Sequence, residues 1–91
     1  MSDDRQVHVI VQDLAGQRVP SARVVIERAP FPKPDSFSYC DKEGEVKFPI
    51  NSIGLYEISG TALGYETASV TAMITDVPVS VVVISLRSSE L

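Results

Sequence analysis

The chain has 91 residues, a net charge of −4 and a hydrophobic fraction of 44%. This is the length of one domain, with ample apolar content for a folded core. The acidic balance argues against nucleic acid or an anionic membrane as partner, since both need a basic face. The single cysteine, Cys40, rules out an internal disulfide and fits a reducing compartment.

Met1 to Gln6 is polar and acidic, and no apolar segment follows a basic start. No secretory signal is therefore read. The longest apolar stretch, Val77 to Leu86, contains Pro78, Ser80 and Ser85 and is too short to span a bilayer. These features predict a cytoplasmic protein, with signal-independent export left open. Alternation places Val7, Val9 and Val11 on one face of a first strand over 7–12. Asp13 to Arg18 is a turn with Gly16 at the position that needs positive φ. A second strand over 22–28 turns Ala22, Val24 and Ile26 one way and Arg23, Val25 and Glu27 the other.

Ala29 to Asp35 alternates Pro30, Pro32 and Pro34 with Phe31 and Lys33, which predicts an extended, polyproline-like loop. A third strand over 36–40 and a fourth over 45–50 flank Asp41-Lys42-Glu43-Gly44, a spacing that predicts a hairpin. Gly54 opens a fifth strand over 55–62. Leu63-Gly64-Tyr65 turns into a sixth over 66–74, and Asp76-Val77-Pro78 separates it from a seventh over 79–86. Seven short strands without a helical stretch predict an all-β fold, a seven-stranded, two-sheet antiparallel β-sandwich over residues 6–86. Residues 1–5 and 87–91 are expected to be flexible. The expected core comprises Val9, Val11, Val24, Ile26, Val46, Phe48, Tyr56, Ile58 and Val70.

The glycine landmarks carry a resemblance. Asp13, Gly16, Val19, Ala22 and Val24 fit Asp-x-x-Gly-x-x-Val-x-x-Ala-x-Val. Cys40, Asp41, Gly44, Val46 and Phe48 fit a Thr-Asp-x-x-Gly-x-Phe-x-Phe pattern, with cysteine for threonine and valine for the first phenylalanine. Gly54, Tyr56 and Ile58, then Ala62, Gly64 and Tyr65, complete the order. In these residues the chain resembles the carboxypeptidase regulatory-like, or transthyretin-like, β-sandwich family, also described as Ig-like. The resemblance implies a non-enzymatic accessory or binding module that acts through protein contacts.

Each group that could carry chemistry has a structural counterpart reading. His8 in the first strand and Arg87-Ser88 resemble parts of the transthyretin-related 5-hydroxyisourate hydrolases, which makes such a small hydrolase the alternative function. The chain has one histidine, however, and lacks the C-terminal Tyr-Arg-Gly-Ser of those enzymes. Asp41, Glu43 and Glu45 alternate as Ca²⁺ ligands would, but Asp41 equally caps its own turn, and Lys42 is a poor neighbour for a cation. Cys40 sits beside Asp41, which raises a thiol pKa and predicts an inert side chain. A carbohydrate-binding module would draw on Tyr39, Phe31 and Phe37. No catalytic residue, cofactor or metal ligand is assigned.

The seventh strand is apolar on both faces, with Val79, Val81 and Val83 on one and Val82, Ile84 and Leu86 on the other. Ile10 and Val25 likewise interrupt the polar faces of their strands. Either loops cover this second face or another chain does. The expected interaction surface is Val81, Val83, Ile10 and Val25, with Phe31 presented by the proline loop, and the expected partner is another protein or a second copy.

Overall fold

The computed structural model describes residues 5–30, 36–50 and 52–89. Seven strands occur in order: β1 (Arg5–Asp13), β2 (Arg23–Arg28), β3 (Ser36–Tyr39), β4 (Glu45–Ile50), β5 (Gly54–Thr61), β6 (Ala68–Ile74) and β7 (Val79–Leu86). They form two sheets, β4-β1-β7 and β3-β2-β5-β6, packed as a sandwich. Period-two patterning explains both inner faces. Val7, Val9 and Val11 of β1 are flanked by Val46, Phe48 and Ile50 of β4 and by Val82, Ile84 and Leu86 of β7. Val24, Ile26, Tyr56, Ile58 and Ile74 face them from the other sheet, all buried. Of the expected core, only Val70 is merely half-buried; its inward neighbours on β6 are the small Ala68 and Ala72, also half-buried, and the strand is fully covered only at Ile74.

Two connections differ from the expectation. The turn at Asp41–Gly44 does not close a hairpin, since β3 pairs with β2 while β4 pairs with β1. Cys40 N–H donates to Ala22 O at 2.8 Å on one side of the turn, and Gly44 O accepts from Val11 N–H at 2.8 Å on the other. The turn is thus an arch between sheets, and it lets Cys40 and Val46 both point inward. The second difference is β7, which runs parallel to β1, with Val9 opposite Val82. Every other strand pair is antiparallel. Gln6 N–H donates to Pro78 O at 2.9 Å, and Arg5 pairs with Asp76 at 2.8 Å. These contacts start β7 at the end of the sandwich where β1 starts, which fixes the parallel sense.

The two Asp-x-x-Gly landmarks build the same turn. Asp13 Oδ1 accepts from Ala15 N–H and Gln17 N–H, both at 2.9 Å. Asp41 Oδ1 accepts from Glu43 N–H at 2.8 Å and Glu45 N–H at 3.1 Å. Each turn ends at a glycine in the left-handed region, Gly16 at φ 88° and Gly44 at φ 72°. Beyond β7 the chain returns to the β5–β6 connection. Ser88 bridges to Tyr65, and Ser89 N–H donates to Gly64 O at 3.0 Å.

Candidate functional site

The expected surface residues separate onto opposite sides of the sandwich. On the outer face of β4-β1-β7, the register sets Val81 beside His8 and Val83 beside Ile10. Val79, Val81 and Val83 are 47, 60 and 44% exposed, so no loop among the described residues covers them. Ile10 is half-buried among them. Towards β4 the same face becomes charged, with Lys47 opposite His8 and Glu45 opposite Ile10. Val25 belongs elsewhere, on the outer face of the four-stranded sheet between Phe37 and Ser59. Strand phase alone could not show this, because phase tells inner from outer but not which sheet a strand joins. Phe31 lies outside the described residues.

Around Val25, the outer face of the second sheet carries a group that the sequence reading did not assemble. The register aligns Tyr39, Arg23 and Thr61 in one cross-strand row. Phe37 and Tyr39 meet edge to face, with centroids 6.1 Å apart. The Arg23 guanidinium lies 4.6 Å from the Phe37 ring centroid. The row ends at a shallow cavity of about 470 Å³ lined by Ser21, Arg23, Tyr39, Thr61, Leu63 and Tyr65, among others. Ser21 is the one described non-glycine residue with positive φ, at 64°. A second hollow, of about 300 Å³, is lined by Arg28 and Glu57, which pair with each other at 3.4 Å.

The groups weighed for catalysis or metal binding are occupied structurally. His8 is on β1, the central strand of its sheet, and is half-buried. Its ring lies 3.1 Å from Gln6 Oε1 and 3.7 Å from Glu45 Oε2. Arg87 lies six residues beyond Val81, the partner of His8 in the register, so about 20 Å of extended strand separates the two backbones. Asp41 spends its carboxylate on its own turn, and those backbone N–H groups hold its pKa below the ordinary value. Among the described residues, no three His, Cys, Asp or Glu side chains converge as metal ligands would. Cys40 is buried, and burial first, then Asp41 and Glu45, pushes its thiol up to about 11. Tyr56 is buried in the core and donates its hydroxyl to Ser52 O at 2.7 Å, while burial raises its pKa.

Comparison with known proteins places the fold. No protein-family model matches the chain, and no match is found among curated protein sequences. Solved structures do match. The Bacillus anthracis TIE protein superposes with a TM-score of 0.71 at 18% identity, over 91% of this chain and 17% of that one. The group B streptococcus pilus 2b backbone protein superposes with a TM-score of 0.68 at 14% identity, over 93% of this chain and 41% of that one. The chain therefore shares a β-sandwich fold with domains that form a minor part of longer proteins. At these identities the likeness is one of fold. Among the described residues there is no helix long and apolar enough to cross a membrane.

Proposed function

We propose that the chain is a non-enzymatic accessory module of the carboxypeptidase regulatory-like, transthyretin-like kind, working through protein contacts, and that two copies stack the outer faces of their three-stranded sheets about a two-fold axis. The observation that carries this reading is the exposed valine row of β7 beside Ile10. Three exposed valines in a row on the outer face of β7 make the kind of apolar patch that marks an interaction surface. A second copy suits it because a chain of net charge −4 repels its like except where a surface carries no charge, and Val79–Leu86 carries none. A two-fold axis brings valine against valine and buries apolar area on both partners at once. The landmark order supports the family reading, and likeness to portions of a pilus backbone protein and of the TIE protein is compatible with an accessory role.

The test is Val81→Lys. In an interface the added charge must be desolvated, so the variant should sediment as a monomer while keeping the far-ultraviolet spectrum of the natural chain and a cooperative melt, its midpoint lowered by the lost association. A natural chain that is itself monomeric at tens of micromolar overturns the self-association. The lone buried thiol fits a cytoplasmic location, and signal-independent export would suit the pilus-like fold. Protease accessibility on intact cells separates the two.

A further inference from the structure

We propose that the hollow at Arg23 receives an acidic peptide segment of a partner protein, one that sets a carboxylate beside an apolar side chain. This rests on the reading that the module works through protein contacts, but it uses the sheet opposite the valine row. Arg23 is the charged residue of the cavity, and no acidic side chain lines it. Among the described residues Arg23 has no carboxylate partner, which is equally so for Arg18 and Arg87; what sets Arg23 apart is its place in the hollow and its stack on Phe37. Its guanidinium is already oriented by stacking on Phe37, so less side-chain entropy is lost when it takes a bidentate carboxylate. An oriented guanidinium with no acidic neighbour in its hollow is suited to an anionic ligand.

The walls indicate what surrounds that anion. Tyr39 is 60% exposed, and Leu63 at the loop tip is fully exposed. Tyr39 and Tyr65 around Arg23 are the residue types enriched in protein-binding hot spots, and Leu63 adds apolar surface beside them. Next to the cavity, β3 is an end strand, with β2 on one side and no strand among the described residues on the other, the arrangement to which an extended segment adds. A neutral saccharide fits less well, because no Asp, Asn, Glu or Gln lines the hollow to bridge paired sugar hydroxyls.

The experiment is an amide NMR titration of the full chain with the peptide acetyl-Gly-Leu-Glu-Leu-Gly-amide, its Gln counterpart and free glucuronate. The Glu peptide should shift amides at 21–23, 39 and 61–65, and should bind about fivefold or more tighter than the Gln peptide. Arg23→Gln should erase that difference without moving amides of the core, since the side chain is exposed. Arg23→Lys should retain only part of it, having the charge but not the fork. Equal binding of the two peptides, shifts elsewhere or none at all, or tighter binding of glucuronate than of the Glu peptide overturns the proposal, the last in favour of an acidic saccharide. The titration is repeated on Val81→Lys, so that failure of self-association and failure of the Arg23 site are read separately.

Discussion

Replacing the terminal glycine of each Asp-x-x-Gly turn by alanine separates two costs that usually come together. Gly16 and Gly44 hold similar φ values, at the ends of turns with the same hydrogen bonds. A Cβ on Gly16 would meet nothing within 4 Å. A Cβ on Gly44 would lie 2.8 Å from Val11 O and 3.1 Å from Val19 N. Those two atoms are joined by a hydrogen bond of 2.9 Å, and Gly44 O is itself bonded to Val11 N–H. Gly16→Ala therefore carries only the left-handed penalty of about 1–2 kcal/mol, reduced by about 0.4–1 kcal/mol through the stiffer unfolded chain. Gly44→Ala adds the displacement of backbone that anchors the arch to β1. Straining or losing one such hydrogen bond adds about 1–3 kcal/mol, for a total of about 1–5 kcal/mol. Urea unfolding of both variants measures the gap. If Gly44→Ala proves no more destabilising than Gly16→Ala, the close approach of the arch to β1 is not what constrains Gly44, and the reasoning fails.

Phe48→Ala should destabilise by about 3–5 kcal/mol, a large share of what a domain of this size possesses, and a loss below about 1 kcal/mol would put the β4 register out by one residue. Cys40 should resist thiol reagents at pH 8 until the chain unfolds. With its pKa near 11 instead of 9.0, roughly 100-fold less thiolate is present, and rapid labelling of the native protein would contradict its burial. The lowered pKa of Asp41 stabilises the fold above the ordinary carboxylate range, and that stabilisation is lost as pH falls through the folded-state value. Urea midpoints measured at pH 7 and pH 3 should thus drop further for the natural chain than for Asp41→Asn, which keeps an acceptor oxygen without the titration. Equal drops would show that the turn hydrogen bonds do not depend on the charge.

Much of the fold was legible because it is written in short-range terms. Period-two alternation found both inner faces, Val9, Val11, Val46 and Phe48 on one sheet and Val24, Ile26, Tyr56 and Ile58 on the other, since burial of one face is a local property of a strand. The Asp-x-x-Gly turns were legible because their hydrogen bonds span only five residues. Partner choice was not local. Asp41–Gly44 has the chemistry of a tight turn whether the strands beside it share a sheet or part into two. What decides is the contact of Cys40 with Ala22 and of Gly44 with Val11, across 18 and 33 residues of chain.

The same limit governs the candidate surfaces. The valine row needed only the phase of β7, and the open question, whether loops cover it, was answered by exposure of Val79, Val81 and Val83. The Tyr39–Arg23–Thr61 row needed three strands in register, drawn from both sides of the proline-rich loop. Taken singly, each of these residues is an ordinary outward side chain on a sandwich strand. Arg23 becomes distinctive only when β3 lies beside β2, because Phe37 then comes beneath the guanidinium and Tyr39 beside it. The arch that defeats the hairpin reading is therefore what assembles the site. If β3 paired with β4 through the Asp41–Gly44 turn, its aromatic pair would sit on another sheet, and Arg23 would lose the ring that orients it.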